Sequence, residues 1–461
     1  MPSRPLRAQN KLTQRALRRF AECFKGEIIL PKDPRYSRAR RVWNHAINRY
    51  PQLIARCTNS DDVIRAIQLA RDYELIAAVR AGGHSFAGHG VCDGGIVIDL
   101  SLMTQAAIDP ERKFIQIGPG VLGNELDCMT QAFKLAVPLG SCPSTGVVGY
   151  ALGGGAGSLT PKFGYACDHI TQCQLITADG RKINARKGEH DDLFWALRGA
   201  GANFGVVTML ELQLHPLEHV LSGHLRYPIR QATRVLAYIK DYALGIPDDL
   251  FLLIAVLPHP GDRMLNVNVV WPGDPRRGEK ALAPLHKFLR PFEDNIRVRA
   301  YLDEQRAGSD NPGEGDYSTC RRAGHLDDLS AESIDKIVQH TTNVPTEASG
   351  ITMIYWHGPW SSQTRDNAFG FRRTGYHYWI HSYWQRAKDG PPAQRWVKDF
   401  FSALAPHSSG AVYVNDLQDE GEERIRAAYG EKYERLRLIK RQYDPTNFFC
   451  VNQNIRPAPK G

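Results

Sequence analysis

The chain has 461 residues, 42% of them apolar and 23% charged, which is enough for two or three domains with real hydrophobic cores. No run of about 18 uncharged apolar residues occurs, which excludes a membrane-spanning helix, and the basic N-terminus lacks the apolar stretch of a secretion signal. A formal net charge of +9 does not indicate nucleic-acid binding, because 58 basic residues are interleaved with 49 acidic ones.

The nine cysteines are scattered along the chain, odd in number and never spaced as C-x-x-C. This pattern argues against a disulfide scaffold and against a structural zinc site. It favours a reducing compartment, so with no leader or anchor segment in the sequence we expect a cytoplasmic protein.

In chain order, the first predicted element is an amphipathic helix within residues 1–24 that packs Leu12, Leu17 and Phe20 on the body. The next part, from about 50 to 215, combines a Ser/Asp-capped helix over 60–75 with strand-like runs, which predicts an α+β unit. The strand-like runs are 76–80, 95–100, 113–118 and 173–180.

The composition changes at about residue 216, where polar loops such as 308–318 and an aromatic-dense stretch over 351–384 begin. We interpret 216–410 as a second domain. The last 51 residues, 411–461, are expected to contain one helix over 422–443 and then a loop rich in asparagine.

One glycine motif invites a dinucleotide interpretation that the context does not support. Residues 118–123, GPGVLG, match G-x-G-x-x-G after a strand-like run. The acidic residue expected about 20 positions later is missing, because Val137, Pro138 and Leu139 stand there. A plain tight turn is the preferred interpretation.

Two other glycine groups fit a cofactor better. In Arg80–Gly90, adjacent glycines between two strands allow backbone N–H groups to approach an anion, although a simple Gly-Gly turn explains them too. In 140–157, seven glycines surround Cys142. A cysteine fixed between serine and proline in such a loop is either a small buried hydrophobe or a candidate for covalent chemistry.

The ordered set of motifs resembles the berberine-bridge-enzyme-like flavoprotein oxidases, which belong to the p-cresol-methylhydroxylase/vanillyl-alcohol-oxidase type of FAD proteins. The motifs are RAGGHSFAG, CPSTGVVGYALGGGAG, LFWALRGAGANFGVVT and YDPTNFF followed by NQNI, and DPRY followed by RVWN lies near the start. The match in order and spacing extends over almost the whole chain.

The resemblance implies an α+β fold in which a two-subdomain FAD-binding domain carries an inserted substrate domain, an antiparallel sheet covered by helices. The FAD-binding domain would comprise residues 1–215 and 411–461, and the substrate domain 216–410. The resemblance also implies FAD attached covalently twice: His84 would bond to the C8 methyl group of the flavin and Cys142 to ring carbon C6. Imidazole nitrogen and thiolate are nucleophiles able to make such bonds.

Further residues matching the family's FAD-contacting motifs are expected at the cofactor, although ordinary loop capping is the alternative for the asparagines of the tail. They are Arg80, Ala81, Gly82, Gly83, Ser85, Gly88, His89, Thr145, Gly146, Gly149, Tyr150, Gly153, Gly154, Gly155, Gly157, Gly205, Val207, Asn447, Asn452 and Asn454.

The sequence departs from the family pattern at several positions. Residues 159–164, LTPKFG, lack an arginine that relatives carry, Tyr150 stands at a usual histidine, and Asp416 replaces a tyrosine of Y-x-N-Y. In the family the residue three after the cysteine influences oxygen access, and the resemblance implies that Thr145, close to valine in size, favours an oxidase over a dehydrogenase.

The resemblance implies oxidation of a small molecule by hydride transfer to flavin N5, with dioxygen as second substrate and hydrogen peroxide as product. The substrate would be a bulky secondary metabolite, such as an alkaloid or polyketide, or a carbohydrate. Candidates for the base and its surroundings are Asp416, His377, Tyr378 and Tyr413.

Period-2 alternation places His377, Trp379, His381 and Tyr383 on one face of a strand, where a plain core histidine is the alternative to a base. A metal at His377 and His381 is disfavoured, because no third ligand is near. Two alternative functions remain: a dehydrogenase with another electron acceptor, and a catalytically silent flavin-fold binding protein. No metal, nucleic acid or membrane is expected as a partner.

Overall fold

The computed structural model describes residues 12–259, 262–307, 317–362 and 365–459. The helices are α1 Gln14–Cys23, α2 Tyr36–Ala39, α3 Ser60–Asp72, α4 Gly123–Gln131, α5 Val147–Leu152, α6 Thr160–Phe163, α7 Asp191–Ala200, α8 Ala232–Ala243, α9 Pro275–Phe288, α10 Tyr301–Ala307, α11 Ala331–Thr342, α12 Pro359–Ser362, α13 Gly390–Leu404, α14 Glu422–Tyr429 and α15 Tyr433–Tyr443.

The strands are β1 Glu27–Ile29, β2 Leu53–Arg56, β3 Ala77–Arg80, β4 Ile96–Asp99, β5 Ala106–Asp109, β6 Phe114–Ile117, β7 Leu135–Ala136, β8 Ile170–Ile176, β9 Lys182–Arg186, β10 Val206–Gln213, β11 His215–Pro216, β12 His219–Pro228, β13 Phe251–His259, β14 Asp262–Trp271, β15 Glu293–Asp294, β16 Arg297–Ala300, β17 Ser318–Leu326, β18 Ser349–Trp356 and β19 Gly375–Trp384. The four strands predicted between residues 76 and 180 are confirmed, and so is the mixed α+β class.

A four-stranded sheet in the order β1-β2-β4-β3 forms the first layer, with β2, β4 and β3 parallel to one another. Helix α3 packs on it through Val63, Ala66 and Ile67, which are fully buried. The predicted helix over 60–75 is confirmed but ends at Asp72, and its N-cap is Asn59, whose side chain accepts from two backbone amides of the first turn. Helix α1 buries Phe20 as predicted, and residues 1–11 of that segment lie outside the described residues.

The second sheet is antiparallel, in the order β5-β6-β10-β8-β9. Strand β6 leads into the GPGVLG turn and then α4, but a strand with antiparallel partners on both sides is not part of a Rossmann βαβ unit. The amides of Gly118, Gly120 and Gly123 donate to the protein's own carbonyls. The tight-turn interpretation is confirmed.

An eight-stranded antiparallel sheet occupies residues 219–384, in the order β15-β12-β14-β13-β18-β19-β17, with β16 also paired to β12. Helices α8, α9, α11 and α13 cover one face and form a hydrophobic core with it. The opposite face turns toward the glycine-rich loops, and the polar loop predicted over 308–318 lies outside the described residues up to 316.

The tail differs from its prediction as a single helix over 422–443. Helices α14 and α15 are separated by a 3₁₀ turn over 430–432, because Gly430 has φ +55°, a conformation that does not continue a helix. Near the end of α15, the buried ammonium of Lys440 donates to Asp444 at 2.7 Å and to the carbonyls of Asn203 and Phe449 at 2.6 and 2.9 Å. This buried ion pair fixes the tail beside α7.

Among the described residues, no helix is both long and apolar enough to span a membrane.

Candidate functional site

Two glycine-rich loops distant in sequence lie backbone to backbone. One follows β3 and contains Gly82; the other precedes α5 and contains Gly146. A Cβ added to Gly82 would lie 2.3 Å from the nitrogen of Gly146, and one added to Gly146 would lie 2.5 Å from the nitrogen of Gly82. Only glycine fits at either position, so this contact sets the distance between the residues that follow in each loop.

This contact brings together the two predicted flavin-attachment residues. His84 Nε2 lies 3.0 Å from Ser144 Oγ, and Cys142 Sγ lies 3.8 Å from the same oxygen. His84 Nδ1 lies 3.4 Å from Thr145 Oγ1. We call His84, Cys142 and Ser144 the attachment cluster.

The His84 ring is held in an aromatic environment. It stacks on Trp43, with ring centroids 5.2 Å apart. Burial lowers the pKa of the His84 imidazole to about 4, so the ring is uncharged at neutral pH. An uncharged imidazole has a nitrogen lone pair and can act as a nucleophile or accept a proton.

The start of helix α4 supports the Cys142 loop. The amides of Gly123 and Asn124 donate to the carbonyls of Thr145 and Pro143, at 2.9 and 3.1 Å. The loop is therefore positioned by backbone hydrogen bonds rather than by its own side chains.

The guanidinium of Arg80, a residue expected at the cofactor, binds other parts of the protein. It donates to Asp99 at 2.6 Å and to the carbonyl of Arg41 at 3.3 Å, beneath the loop. Arg80 therefore anchors the loop that carries His84.

The glycines after α5 contact the C-terminal segment. The amide of Gly155 donates to the Tyr413 hydroxyl at 2.9 Å, and a Cβ on Gly153 would lie 2.0 Å from Asn415 Oδ1. By contrast, a Cβ on the exposed Gly149 would meet nothing within 4 Å. The Tyr150 hydroxyl accepts from the amide of Ala156 and donates to its carbonyl, so it braces this loop.

The predicted asparagines of the tail have buried oxygens available for a ligand. The side-chain oxygens of Asn447, Asn452 and Asn454 have no hydrogen-bond partner among the described residues. Asn447 also has φ +53°. Ordinary loop capping accounts for the Nδ2 of Asn452, which donates to Ala202 and Phe449, but not for these oxygens.

Three other residues predicted at the cofactor are Val207, Gly205 and His89. Val207 is 4% exposed and packs in the core, and a Cβ on Gly205 would lie 2.7 Å from the carbonyl oxygen of Ile176. Burial lowers the pKa of His89, next to Gly88, to about 4. Gly205, just before β10, and Val207, within it, therefore fix the start of the strand rather than offer a polar side chain.

A second cluster joins the eight-stranded sheet to the tail. His377 Nε2, on β19, lies 2.6 Å from Asp416 Oδ2, and Arg321 on β17 donates to Asp416 Oδ1 at 2.7 Å. All three residues are buried. We call Arg321, Asp416 and His377 the base cluster.

Opposing effects set the ionisation of Asp416. Burial alone would raise the pKa of its carboxyl, but the charge of Arg321 and the hydrogen bond with His377 together outweigh burial and hold the pKa below its ordinary value. Asp416 is therefore a carboxylate at neutral pH. His377 Nδ1 is buried and has no hydrogen-bond partner among the described residues.

Arg321 also connects the two clusters. Its guanidinium lies between the rings of Phe86 and Trp379, 4.3 and 4.6 Å from their centroids. Phe86 belongs to the His84 loop, and Trp43 meets both Phe86 and His84. An arginine between two aromatic faces is held in both position and orientation.

The remaining catalytic candidates are placed differently. Tyr378 is fully buried in the core under the helices, on the opposite face of β19 from His377, which removes it from the base cluster. The Tyr413 hydroxyl accepts from Gly155 and from Asn415 at 2.9 Å. Burial raises the pKa of Tyr413 well above its ordinary value, so the phenol is neutral.

Sequence reasoning missed Arg321, Ser144 and Phe86 as functional candidates. The signals for Ser144 and Phe86 were their positions within the two motifs, two residues from Cys142 and from His84. Arg321 had no local signal, because it stands on a strand far from both motifs.

Residues 159–164, which lack the arginine that the family pattern predicts, include Lys162. Lys162 forms an ion pair with Asp249 at 3.3 Å, so it contacts the eight-stranded sheet unit rather than the glycine loops. A more buried link runs from Asp168 to Arg372, which donates to both carboxylate oxygens.

The residues present fit FAD. The glycine loops expose backbone along which a flat cofactor can lie, and the nucleophilic side chains of His84 and Cys142 lie near each other. The buried side-chain oxygens of the tail asparagines can accept hydrogen bonds from a ligand.

Comparisons with known proteins agree with this arrangement. Residues 51–186 match the model of the FAD binding domain, and 412–456 match the model named berberine and berberine like. The chain is 32% identical over 447 residues to (R)-6-hydroxynicotine oxidase of Paenarthrobacter nicotinovorans, covering 94% of this chain and 97% of that protein. It is 28% identical to xylooligosaccharide oxidase of Thermothelomyces thermophilus, covering 88% of each.

The fold is similar to that of a solved oxidase as well. The crystal structure of 6-hydroxy-D-nicotine oxidase from Arthrobacter nicotinovorans superposes with a TM-score of 0.88 at 29% identity, covering 94% of this chain and 98% of that one. The chain belongs to the berberine-bridge-enzyme-like family of FAD-linked oxidases.

Proposed function

We propose that this protein is an oxidase whose FAD is attached covalently through both His84 and Cys142, and that it oxidises a bulky secondary metabolite or a carbohydrate. The observation that carries the proposal is the convergence of the two nucleophiles on one hydroxyl, although His84 and Ser144 are 60 residues apart in sequence. A family member without flavin chemistry would have no use for both.

The proposed division of the chain follows the packing. In this division residues 1–215 and 411–461 form the FAD-binding domain; its core combines side chains of 115–214 with those of 412–455 and extends to nine residues between 220 and 371. Residues 216–410 form the substrate-binding domain, since the eight-stranded sheet lies within 219–384.

When bound, FAD supplies a two-electron acceptor, which takes a hydride at N5 and can be reoxidised by dioxygen to give hydrogen peroxide. The glycine loops and the tail asparagines would hold it. Thr145, beside His84, leaves a small side chain near that position, which supports oxygen as the acceptor.

His377 is the proposed base. Asp416 accepts the hydrogen bond from Nε2, which leaves the lone pair on Nδ1, the nitrogen without a partner among the described residues. A proton from a substrate hydroxyl or amine can be accepted there, and the carboxylate stabilises the resulting imidazolium. Asp416 therefore orients the base and is not a second, independent base.

Arg321 stabilises this arrangement of Asp416 and His377. Its charge holds Asp416 ionised, and the Phe86 and Trp379 rings fix the guanidinium. Trp379 is half-buried on a strand that is otherwise buried, so its exposed part offers a flat surface for a ring substrate.

The names of known relatives support the two substrate classes in the proposal. Their printed names include a hydroxynicotine oxidase and a xylooligosaccharide oxidase. An N-heterocycle and a sugar are both rings that can lie against Trp379, and both present a hydroxyl or amine proton to His377.

The test is a panel of alcohols, amines and oligosaccharides mixed with the purified protein without oxygen, while flavin absorbance is followed. Bleaching by any member identifies a substrate, and admission of air should then give one hydrogen peroxide per substrate oxidised. Turnover with an artificial acceptor but without peroxide would make the protein a dehydrogenase instead.

A further inference from the structure

The attachment cluster contains a group with no assigned role, the hydroxyl of Ser144. It lies between the two nucleophiles, 3.0 Å from His84 Nε2 and 3.8 Å from Cys142 Sγ. A hydroxyl both donates and accepts, so it can receive a proton from sulfur while it passes its own to nitrogen.

We propose that Ser144 carries the proton of the Cys142 thiol to His84 while the flavin becomes attached, a role that rests on the covalent attachment proposed above. The need follows from the chemistry of sulfur: the thiolate is the nucleophile, and the proton must leave before the bond forms. His84 Nε2 lies within hydrogen-bonding distance of the Ser144 oxygen, and the lone pair of its uncharged ring can take up the proton transiently.

The step balances as follows. Cys142 Sγ loses its proton through Ser144 to His84 Nε2 and gains a bond to a ring carbon. That carbon loses its hydrogen as a proton, and the electron pair passes on to dioxygen, which becomes hydrogen peroxide.

The loop geometry holds the relay in place. The backbone of Thr145 donates to the carbonyl of Cys142 at 3.3 Å, which closes a turn around Ser144, and Gly123 fixes the turn from outside at 2.9 Å. Trp43 stacks on the His84 ring from its other side. These contacts restrain the Cys142 turn and the His84 ring, which carry the two partners of the Ser144 hydroxyl.

The test uses the full chain prepared without flavin, to which FAD is added in air at a series of pH values. Attachment is followed by intact mass and by flavin fluorescence of the denatured protein, and digestion shows which residue is modified. Ser144→Ala is compared with Ser144→Thr, which retains a hydroxyl, and with Ser141→Ala, an exposed serine of the same loop.

We expect Ser144→Ala to slow formation of the Cys142 bond by about 100-fold at pH 7, the usual scale of an acid–base contribution. The rate should recover at alkaline pH, where hydroxide can remove the proton without a relay. Ser144→Thr and Ser141→Ala should behave like the wild type.

Two results would overturn the relay. One is wild-type attachment at Cys142 in Ser144→Ala at pH 7; the other is an equal loss of rate at every pH, which would mean a structural role. If Ser144→Ala does not bind FAD, attachment in the wild type measured in mixtures of H₂O and D₂O decides: a relay through the hydroxyl moves two protons and requires a curved dependence of rate on deuterium fraction, and a linear dependence contradicts it. Failure of the covalent proposal looks different: the wild type itself would then gain no mass.

Discussion

The attachment cluster and the base cluster are built in opposite ways. The first stands on two loops, its side chains are partly exposed, and a glycine–glycine backbone contact sets its spacing. The second stands on two strands and a 3₁₀ turn, is buried, and is held by an ionic chain from Arg321 through Asp416 to His377. Covalent attachment needs loops that can close around a cofactor, whereas proton abstraction needs a base whose orientation is fixed.

The largest effect should come from removing the proposed base, His377. His377→Ala is expected to slow anaerobic flavin reduction about 1000-fold, and Asp416→Asn, which keeps the imidazole but loses its orienting charge, about 100-fold. Stopped-flow absorbance measures both, with Tyr376→Phe, on the other face of β19, as the matched control. Unchanged reduction in both variants would contradict the assignment of the base cluster.

Two substitutions of Arg321 should distinguish the contribution of its charge from that of its planar shape. Arg321→Met leaves Asp416 buried without its cation and is expected to cost about 3–5 kcal/mol of unfolding free energy, whereas Arg321→Lys keeps the charge but loses the planar fit between two rings. Denaturant titration followed by fluorescence measures the difference. Equal stability of all three proteins would show that the sandwich and ion pair are incidental.

The same variant has a defined pH dependence. Asp416 has a lower pKa in the folded protein than its ordinary 3.8, so its stabilisation is present above that value and is lost as pH falls through the folded pKa. Arg321→Met removes the main lowering cause, so the acid loss of stability should begin at a higher pH than in the wild type.

The attachment cluster should be sensitive to its backbone contact. Gly146→Ala places a Cβ 2.5 Å from the backbone of Gly82, so the loops must separate. We expect about 1–3 kcal/mol of destabilisation and loss of covalent flavin, measured by thermal unfolding and intact mass. Gly245→Ala, where a Cβ meets open space, is the control. Full flavin incorporation in Gly146→Ala would break the proposed link between spacing and attachment.

A smaller effect concerns the helix beneath the Cys142 loop. Burial raises the pKa of Asp127, on α4, to about 7, and Gln305 donates to it at 3.1 Å. The folded protein therefore binds this proton more tightly than the unfolded chain, so stability falls as pH rises from about 4 to about 7. Asp127→Asn removes this loss: its advantage in melting temperature should be larger at pH 8 than at pH 5, and the reverse order would contradict the assignment.

The sequence predicted the attachment cluster better than the base cluster, for a physical reason. His84 and Cys142 stand in contiguous motifs whose glycines are themselves a signal. Arg321 and Asp416 are 95 residues apart, and only the pairing of strands β17 and β19 brings Arg321 beside the tail. The alternation on β19 did predict the face of His377, but it left Asp416 as a competing candidate base, and only the structure shows that these two side chains are hydrogen-bonded to each other.

Two local differences between the predicted and the observed fold have similar causes. The apolar spacing over 422–443 continues through Gly430, so periodicity predicted one helix where a backbone with positive φ makes two. The cap of α3 is Asn59, one residue before the Ser60 that the pattern favoured.

The most direct measurement of the central claim is the intact mass of the acid-denatured protein in the wild type, His84→Ala, Cys142→Ala and the double variant. Two bonds predict that the wild type and both single variants retain the mass of one FAD after incubation with FAD at alkaline pH, where the Cys142 bond does not need the relay to His84, while the double variant loses it. Release of all flavin by the wild type would contradict covalent attachment, and complete loss in one single variant would reduce the two bonds to one.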